Sequence, residues 1–401
     1  MRVIDGGVTA PMGFMAQGVC ADIKKKGKKD VAVIYSSIRC TAAGVFTVNN
    51  VRASSVDISK RHLEDGFAQA IVVNSGNANA CTGTQGISDT MYIAQLTGQL
   101  LGIPANDIIV ASTGVIGVPL PRDNVAEGIK KSVQTLSNQG SSNAAEAIMT
   151  TDLISKEIAV EVDIGGKVVT IGGIAKGSGM IHPNMATMLA FLTTDAAISS
   201  KCLKRVLKES CDQSFNMISV DRETSTNDMA VVLANGVAGN PCIEDTDSEG
   251  YRIFKEAFDY VNASLAKMIA RDGEGATCLI EVRVINAVSL DNARLIARSI
   301  VGSNLTKAAI FGRDANWGRI LAAAGYSQAK FDLDKVDIYI GEEKMAENGM
   351  GLQFNEEKAR QELEKDPVVI TIDLKSGNQC ATAWGCDLSY DYIRINAAYR
   401  S

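Results

Sequence analysis

The segment from Lys176 to Phe191 holds the residue best suited to act as a nucleophile. It reads Lys-Gly-Ser-Gly-Met-Ile-His-Pro-Asn-Met-Ala-Thr-Met-Leu-Ala-Phe, so Thr187 follows a Gly- and Pro-containing approach and precedes an apolar run. A threonine hydroxyl attacks a carbonyl when a base removes its proton. A free α-amine on the same residue, with an ordinary pKa of about 7.7–8.0, can serve as that base. This chemistry requires cleavage of the peptide bond between Ala186 and Thr187.

The reactive side chains of this segment also have ordinary structural interpretations. Threonine is common in strands because its side chain is branched at the β-carbon. Taken alone, Thr187 could therefore be an ordinary strand residue. His182 is either a turn-packing residue or a participant in catalysis. The segment by itself leaves both choices open.

The scarcity of histidine restricts other forms of catalysis. His62 and His182 are the only two histidines, and the nine cysteines contain no Cys-x-x-Cys pair. The sequence therefore has no zinc-ligand pattern, and it also lacks a P-loop and a Gly-x-Gly-x-x-Gly turn. We predict no metal and no bound cofactor.

Charge and hydropathy argue against nucleic-acid and membrane partners. The net charge is −6, which creates no general attraction for anionic surfaces. No apolar stretch approaches the roughly 20 residues of a membrane span. A basic run, which we interpret as a solvated loop rather than a phosphate site, consists of Lys24, Lys25, Lys26, Lys28 and Lys29.

The cysteines and the N-terminal residues bear on location. The cysteine count is odd, and Met1–Ala10 does not resemble a secretory leader. We expect free thiols in a reducing compartment. The predicted location is the cytoplasm, or an organelle matrix if the chain is processed.

Strands and helices alternate along the first half of the chain and must position these residues. Short strands are predicted at Val31–Ser36, Ala70–Asn74 and Asp107–Ser112. The third runs directly into Thr113 and Gly114, and Asn74, Asn77 and Asn79 are expected to organise a turn after the second. A hairpin is predicted with its turn at Gly165-Gly166. Helices are predicted at Ile87–Leu101, Asn124–Leu136, Ile198–Cys211, Tyr251–Arg271 and Leu290–Gly302.

The length of 401 residues predicts two domains. The pattern of elements changes close to Thr277, where a strand is followed by shorter elements. We therefore predict a first domain over 1–277, which contains the candidate nucleophile, and a second domain over 278–401.

Five motifs in one order carry a resemblance to a known family. They are Lys176–Leu189, Ser112–Gly117, Asp272–Thr277, Phe311–Ile320 and Asp391–Ser401. Together they resemble the ornithine acetyltransferase family, also called the glutamate N-acetyltransferases of arginine biosynthesis, over the whole chain. The family usually has a charged residue where this chain has Cys278. Asn316, Trp317 and Arg319 are motif residues for which packing is as good an interpretation as function.

The resemblance implies a self-cleaving enzyme with Thr187 as its nucleophile. The precursor would be cut between Ala186 and Thr187 into an α chain, 1–186, and a β chain, 187–401. The acetyl group of N-acetylornithine would pass to the Thr187 oxygen and then to glutamate by a ping-pong route. Some family members also use acetyl-CoA as a co-substrate, and no motif here decides for or against that second activity.

The resemblance also assigns site residues and an architecture. Thr113 and Gly114, just past a strand end, would stabilise the oxyanion. The implied substrate-binding residues are Thr150 or Thr151, Lys176, Thr187, Glu274, Asn396 and Ser401. The implied fold is α+β, with a layered α/β/β/α catalytic domain and a smaller C-terminal α/β domain. The implied assembly is a heterotetramer of two α and two β chains.

Two rival functions fit part of the same pattern. A self-processing amidase or aminopeptidase with a threonine nucleophile would use water in place of glutamate as the acceptor. A non-catalytic amino-acid-binding or regulatory protein would remain one intact polypeptide. Two of the site residues also have purely structural interpretations. Lys176 could be a surface lysine, and Thr113-Gly114 could be an ordinary turn.

Overall fold

The computed structural model describes residues 1–24, 27–181 and 188–398. These residues form the following sixteen strands: β1 Arg2–Ile4, β2 Phe14–Val19, β3 Val31–Phe46, β4 Phe67–Asn77, β5 Ile108–Val115, β6 Lys156–Ile164, β7 Lys167–Lys176, β8 Leu189–Thr194, β9 Ile218–Ser219, β10 Met229–Ala234, β11 Leu279–Ala287, β12 Asp337–Ile340, β13 Glu343–Glu347, β14 Met350–Gly351, β15 Val368–Asp373 and β16 Gln379–Cys386.

The same residues form the following eleven α-helices: α1 Ser54–His62, α2 Gly83–Leu101, α3 Arg122–Gln134, α4 Ser141–Ala147, α5 Ser200–Gln213, α6 Glu249–Arg271, α7 Leu290–Val301, α8 Asn304–Phe311, α9 Trp317–Gly325, α10 Glu356–Leu363 and α11 Tyr390–Ala397. In this part of the chain, every helix is too short or too polar to cross a membrane. The predicted α+β class is confirmed.

The chain divides into two compact units. The described residues of the first unit are 1–24, 27–177, 188–212 and 224–265, and those of the second are 178–181, 213–223 and 266–398. The boundary that we predict near Thr277 rests on a change in the pattern of elements along the chain. That pattern gives no sign that residues 178–181 and 213–223 belong with the last third of the chain.

The first unit is built on a nine-stranded sheet. Its strand order is β1-β6-β7-β8-β10-β3-β4-β5, and β2 also pairs with β3. Successive residues of a strand face opposite sides of a sheet, and here both sides are buried. Ile71 and Ile109 belong to one apolar cluster, whereas Val72 and Val110 belong to a second. This two-sided burial explains the short continuous apolar runs of the sequence.

The predicted hairpin turn of the first unit agrees with the structure, and three predicted strands are present but extend further than expected. The Gly165-Gly166 turn joins β6 to β7, and both glycines have positive φ. The strands predicted near positions 70 and 108 are β4 and β5, which pair in parallel. The predicted strand Val31–Ser36 continues to Phe46, because its second half pairs with β10 after an irregular step.

The second unit is built on a seven-stranded sheet. Its order is β14-β13-β12-β15-β11-β16-β9. Helix α7 begins at the Ser289 cap, whose hydroxyl accepts the Asn292 N–H at 3.2 Å. The buried face of α7, which includes Ile296 and Ile300, covers apolar residues of this sheet.

Candidate active site

Thr113 and Gly114 lie in β5, where the parallel ladder with β4 ends. Thr113 is 9% exposed, and Gly114 stands opposite Gly76. A β-carbon on Gly114 would lie 2.3 Å from the Gly76 carbonyl carbon, and its φ of +135° also favours glycine. The close approach of the two strands therefore depends on residue 114 having no side chain. The segment is not the simple turn of the structural alternative.

Asparagine side chains hold the backbone around this strand end. Asn74 accepts a hydrogen bond from the Ser112 hydroxyl at 2.7 Å and donates to the Asn77 carbonyl at 2.8 Å. Asn77 in turn accepts the Asn79 N–H at 2.8 Å. Asn74 and Asn77 lie within β4, so the predicted turn after position 74 is wrong: the strand continues to Asn77 by pairing with β5. Asn227, which sequence reasoning missed, donates to the Ser112 carbonyl at 2.8 Å.

Lys176 is a buried residue at the end of β7. Lys176 is only 6% exposed, so its interpretation as a surface lysine is wrong. Its ammonium group donates to the Thr113 hydroxyl oxygen over 3.4 Å. Because that oxygen accepts from lysine, the hydroxyl hydrogen of Thr113 can be directed elsewhere. The structure thus brings two of the predicted site residues together.

Asp152 is the buried anion of this cluster, and sequence reasoning missed it. It accepts from the Lys156 ammonium at 2.8 Å and from the Gly177 N–H at 2.6 Å. Burial alone would raise the pKa of Asp152, but the charges of Lys176 and Lys156 and the hydrogen bonds outweigh it, and the pKa is lowered to about 2. Asp152 is therefore ionised at neutral pH. An Asp and a Lys four residues apart were the only sequence signal.

Thr150 and Thr151 are both partly buried beside this anion. The Thr150 N–H donates to the Asp152 carboxylate at 2.9 Å. This bond fixes the backbone just before Asp152. It does not choose between the two threonine hydroxyls as a substrate contact.

The basic run is only partly the solvated loop that we predict. Lys28 is exposed, but Lys29 contacts the Glu146 carboxylate at 2.6 Å. Lys24 donates to the Met149 carbonyl at 2.8 Å. Burial, with smaller effects from Lys28 and Lys176, lowers the pKa of Lys24 to about 8. The prediction is wrong for Lys24, because a sequence of polar residues does not show which ones fold back on the protein. Lys25 and Lys26 lie outside the described residues.

In the second unit, the structure brings Glu274 and Asn396 together. Glu274 is 7% exposed and accepts from the Asn396 side-chain amide at 2.8 Å. A β-carbon on Gly179 would lie 2.4 Å from the Glu274 carboxyl carbon, and one on Gly275 would lie 2.6 Å from the Tyr392 nitrogen. Glycines thus permit the close packing around this carboxylate.

The remaining predicted residues divide into two groups. Ala186, Thr187, His182 and Ser401 lie outside the described residues. Asn316 caps α9 by accepting the Arg319 N–H at 3.2 Å, and the Trp317 ring lies against Gly351. The guanidinium of Arg319 donates to the Leu305 carbonyl at 3.2 Å. These three motif residues therefore have packing roles within the second unit.

Comparison with known proteins identifies the family. The model of the ArgJ family matches residues 15–401. The arginine biosynthesis bifunctional protein ArgJ of Symbiobacterium thermophilum is 56% identical over 403 residues, covering 100% of both chains. The protein of the same name from Caldanaerobacter subterraneus subsp. tengcongensis is 51% identical over 405 residues, again covering 100% of both.

A solved structure agrees with the sequence comparisons. The crystal structure of arginine biosynthesis bifunctional protein ArgJ from Bacillus halodurans has a TM-score of 0.52 at 47% identity, and covers 53% of this chain and 100% of its own. The predicted resemblance is confirmed by a family match that spans nearly every residue. The chain belongs to the ArgJ family.

Proposed function

We propose that this chain transfers the acetyl group of N-acetylornithine to glutamate in arginine biosynthesis. The observation that carries the proposal is the cluster at the end of β5, where Thr113 and Gly114 lie beside the buried Lys176 and the buried Asp152 accepts the Gly177 N–H. Such a cluster offers fixed donors for an oxyanion and a cation for a carboxylate. The names of the relatives, which place them in arginine biosynthesis, support the same reaction.

The first step of the proposed function is self-cleavage. The Thr187 hydroxyl oxygen attacks the Ala186 carbonyl carbon, the C–N bond breaks, and the nitrogen takes up the proton. Water then hydrolyses the resulting ester, which leaves a carboxylate on Ala186 and a free amine on Thr187. The solved relative from Bacillus halodurans, whose whole chain corresponds to 53% of this one, supports a two-chain enzyme. The β chain 187–401 would make up a similar share.

The acetyl transfer uses the same residue in two half-reactions. The Thr187 oxygen attacks the acetyl carbonyl of N-acetylornithine, and ornithine leaves with a proton from the Thr187 amine. The α-amine of glutamate then attacks the acetyl-threonine ester and restores the hydroxyl. Each tetrahedral intermediate carries an oxyanion, to which the Thr113 hydroxyl and the Gly114 N–H would donate. Removal of one such donor typically costs about 2.7–4 kcal/mol of barrier.

Charged side chains of opposite sign would bind the amino-acid substrates. Lys176 would pair with a substrate carboxylate and Glu274 with an ammonium group. Asn396, which is hydrogen-bonded to Glu274, would fix the orientation of that carboxylate. Thr150 or Thr151 and Ser401 would complete the binding residues.

Several finer features belong to the same proposal. We place the enzyme in the cytoplasm, as a heterotetramer of two α and two β chains, with no bound cofactor. Acetyl-CoA as a second acetyl donor would acetylate glutamate through the same Thr187 ester. An assay with acetyl-CoA and glutamate as the sole substrates tests this second activity directly.

Intact-mass analysis of the purified protein and of Thr187→Ala tests the self-cleavage. We expect two polypeptides from the parent, beginning at Met1 and Thr187, and one polypeptide from the variant. Equal cleavage of the variant would mean that an outside protease is responsible. An intact and active parent would contradict the free-amine mechanism.

A second assay separates acetyl transfer from amide hydrolysis. N-acetylornithine is incubated with the mature enzyme in the presence and absence of glutamate. Acetyl transfer predicts that ornithine release depends on glutamate and is matched by N-acetylglutamate. Ornithine release at the same rate without glutamate would instead support the amidase.

A further inference from the structure

Asp221 binds the chain segment that leads to the proposed cleavage site. One carboxylate oxygen accepts the Met180 N–H at 2.6 Å, and the other accepts the Ile181 N–H at 2.7 Å. Hydrogen bonds from backbone N–H groups to a carboxylate are charge-assisted and stronger than neutral ones. Both oxygens of one side chain are thus used to hold two consecutive residues of this segment.

The backbone around Asp221 holds the same segment a second time. The Ile181 carbonyl accepts the Val220 N–H at 2.7 Å and the Asp221 N–H at 3.3 Å. Residues 180 and 181 are therefore fixed through their N–H groups and through the carbonyl of residue 181. Met180 has a φ of +58°, an unfavourable conformation for a side chain of this size. The carboxylate offsets that cost by satisfying its N–H.

Helix α11 links this arrangement to Glu274. The Tyr392 hydroxyl donates to Asp221 at 3.3 Å, and one turn later Asn396 donates to Glu274. Burial, together with the Asp221 charge, raises the pKa of the Tyr392 hydroxyl, so it remains a donor. Gly179, which directly precedes residues 180 and 181, lies against Glu274. The carboxylate is so close that there is no room for a β-carbon at position 179.

From these contacts we propose that Asp221 is a positioning residue for self-cleavage. It fixes residues 180 and 181, five residues before the bond between Ala186 and Thr187, and so limits the range of positions open to that bond. After cleavage the held segment belongs to the α chain and Asp221 to the β chain. The same carboxylate then keeps residues 180 and 181 of the α chain bound to the β chain. This inference rests on the proposed cleavage before Thr187.

The physical expectation is a slower cleavage rather than an unfolded protein. Hydrogen bonds to a charged group are stronger than those to a neutral one, and small misplacements of reacting groups have large effects on rate. We expect Asp221→Ala to convert precursor to two chains about tenfold to hundredfold more slowly than the parent. Asp221→Asn keeps one acceptor oxygen but loses the charge. Its cleavage rate should lie between those of the parent and Asp221→Ala.

The experiment is a time course of precursor conversion, followed by intact mass from the moment of purification. The parent, Asp221→Ala, Asp221→Asn, Thr187→Ala and Asp332→Asn are compared, with thermal unfolding as a check on folding. Asp332 is a matched control, since its carboxylate accepts the Asp334 N–H at 3.2 Å elsewhere in the same unit. Asp332→Asn should be cleaved at the parent rate.

Amide hydrogen exchange supplies a readout that does not depend on cleavage. The measurement uses the uncut Thr187→Ala protein. Adding Asp221→Asn to it should speed amide exchange at Met180 and Ile181 at least about tenfold. Adding Asp332→Asn should leave the exchange rates of these two amides unchanged. Unchanged exchange would overturn the proposal even if Asp221→Ala failed to fold. Parental cleavage of a folded Asp221→Ala, with Thr187→Ala intact, would overturn this inference alone. Cleavage of Thr187→Ala would instead overturn the proposed function.

Discussion

Lys176 is the side chain whose burial most directly suggests a substrate contact. Its ammonium lies 3.4 Å from the Thr113 hydroxyl oxygen, at the last position of β7. A carboxylate bound by this cation gains a charge-assisted hydrogen bond that contributes about 1.5–3 kcal/mol. We therefore expect Lys176→Met to lower kcat/KM for N-acetylornithine about tenfold to hundredfold, measured on mature enzyme.

The same strand provides the control for Lys176. Lys167 is the first residue of β7 and is exposed, so Lys167→Met removes an equal charge without altering the buried cluster. Its kcat/KM should equal that of the parent. A parental kcat/KM for Lys176→Met would remove this lysine from substrate binding.

Asp152 links the buried cluster to pH-dependent stability. Its pKa is lowered from the ordinary 3.8 to about 2, so the folded state binds this proton less readily than the unfolded state. The stabilisation is complete above about pH 4 and is lost as the pH falls through about 2. One pKa unit corresponds to about 1.4 kcal/mol, so the contribution is about 2 kcal/mol.

Urea unfolding of the parent and Asp152→Asn tests this linkage. We expect the variant to be destabilised by about 3–5 kcal/mol at pH 7, since the buried ion pair between Asp152 and Lys156 is broken. The difference between the two proteins should shrink as the pH is lowered from 4 to 2. A difference that stays constant over this range would mean that Asp152 is not the group responsible.

At the scale of elements, the pairing of β4 with β5 determines where the oxyanion donors lie. Gly114→Ala would place a carbon 2.3 Å from the Gly76 carbonyl carbon, and the strands would have to separate. We expect a loss of at least about a hundredfold in both self-cleavage and acetyl transfer, as reported by intact mass and kcat.

Gly117→Ala is the matched control for this substitution. Gly117 also has a positive φ, +78°, but a β-carbon there meets no atom within 4 Å. Gly117→Ala therefore also places a side chain at a positive φ, but without the collision. If both variants lost activity equally, strain rather than strand separation would be the cause.

The elements that the sequence predicts well are those whose signals are local. Strands β4 and β5 form where short apolar runs predict them, and the β6–β7 hairpin has its glycine pair. The second half of β3 is not predicted, because its small residues acquire strand structure by pairing with β10, about 190 residues away.

Site residues were likewise predictable only where the sequence signal is local. Lys176 and Glu274 stand in compact motifs, and the resemblance assigns them. Asp152, Asn227 and Asp221 act on partners that fold next to them from other parts of the chain. A carboxylate or amide side chain in isolation does not show which backbone groups it will meet, so sequence patterns could not have identified these three.

At the scale of the whole molecule, the proposed cleavage leaves both chains in one sheet. Residues Ile171–Lys176 of the α chain pair with Leu189–Thr194 of the β chain, and Thr41–Phe46 pair with Met229–Ala234. Ile174 and Phe191 also share one apolar cluster. Burial of such a side chain stabilises by about 1.5–3 kcal/mol. The two chains should therefore stay associated after cleavage.

Size-exclusion chromatography of the cleaved enzyme, with intact mass of each fraction, measures this association. We expect α and β chains to elute together in buffer and to separate only in urea, whereas the Thr187→Ala precursor unfolds as a single chain at every urea concentration. Phe191→Ala should lower the urea concentration at which the chains separate, because a buried phenylalanine truncated to alanine costs about 3–5 kcal/mol. Separate elution of the two chains in buffer would contradict a sheet that is continuous across the cut, since paired strands with a shared apolar cluster do not part without denaturant.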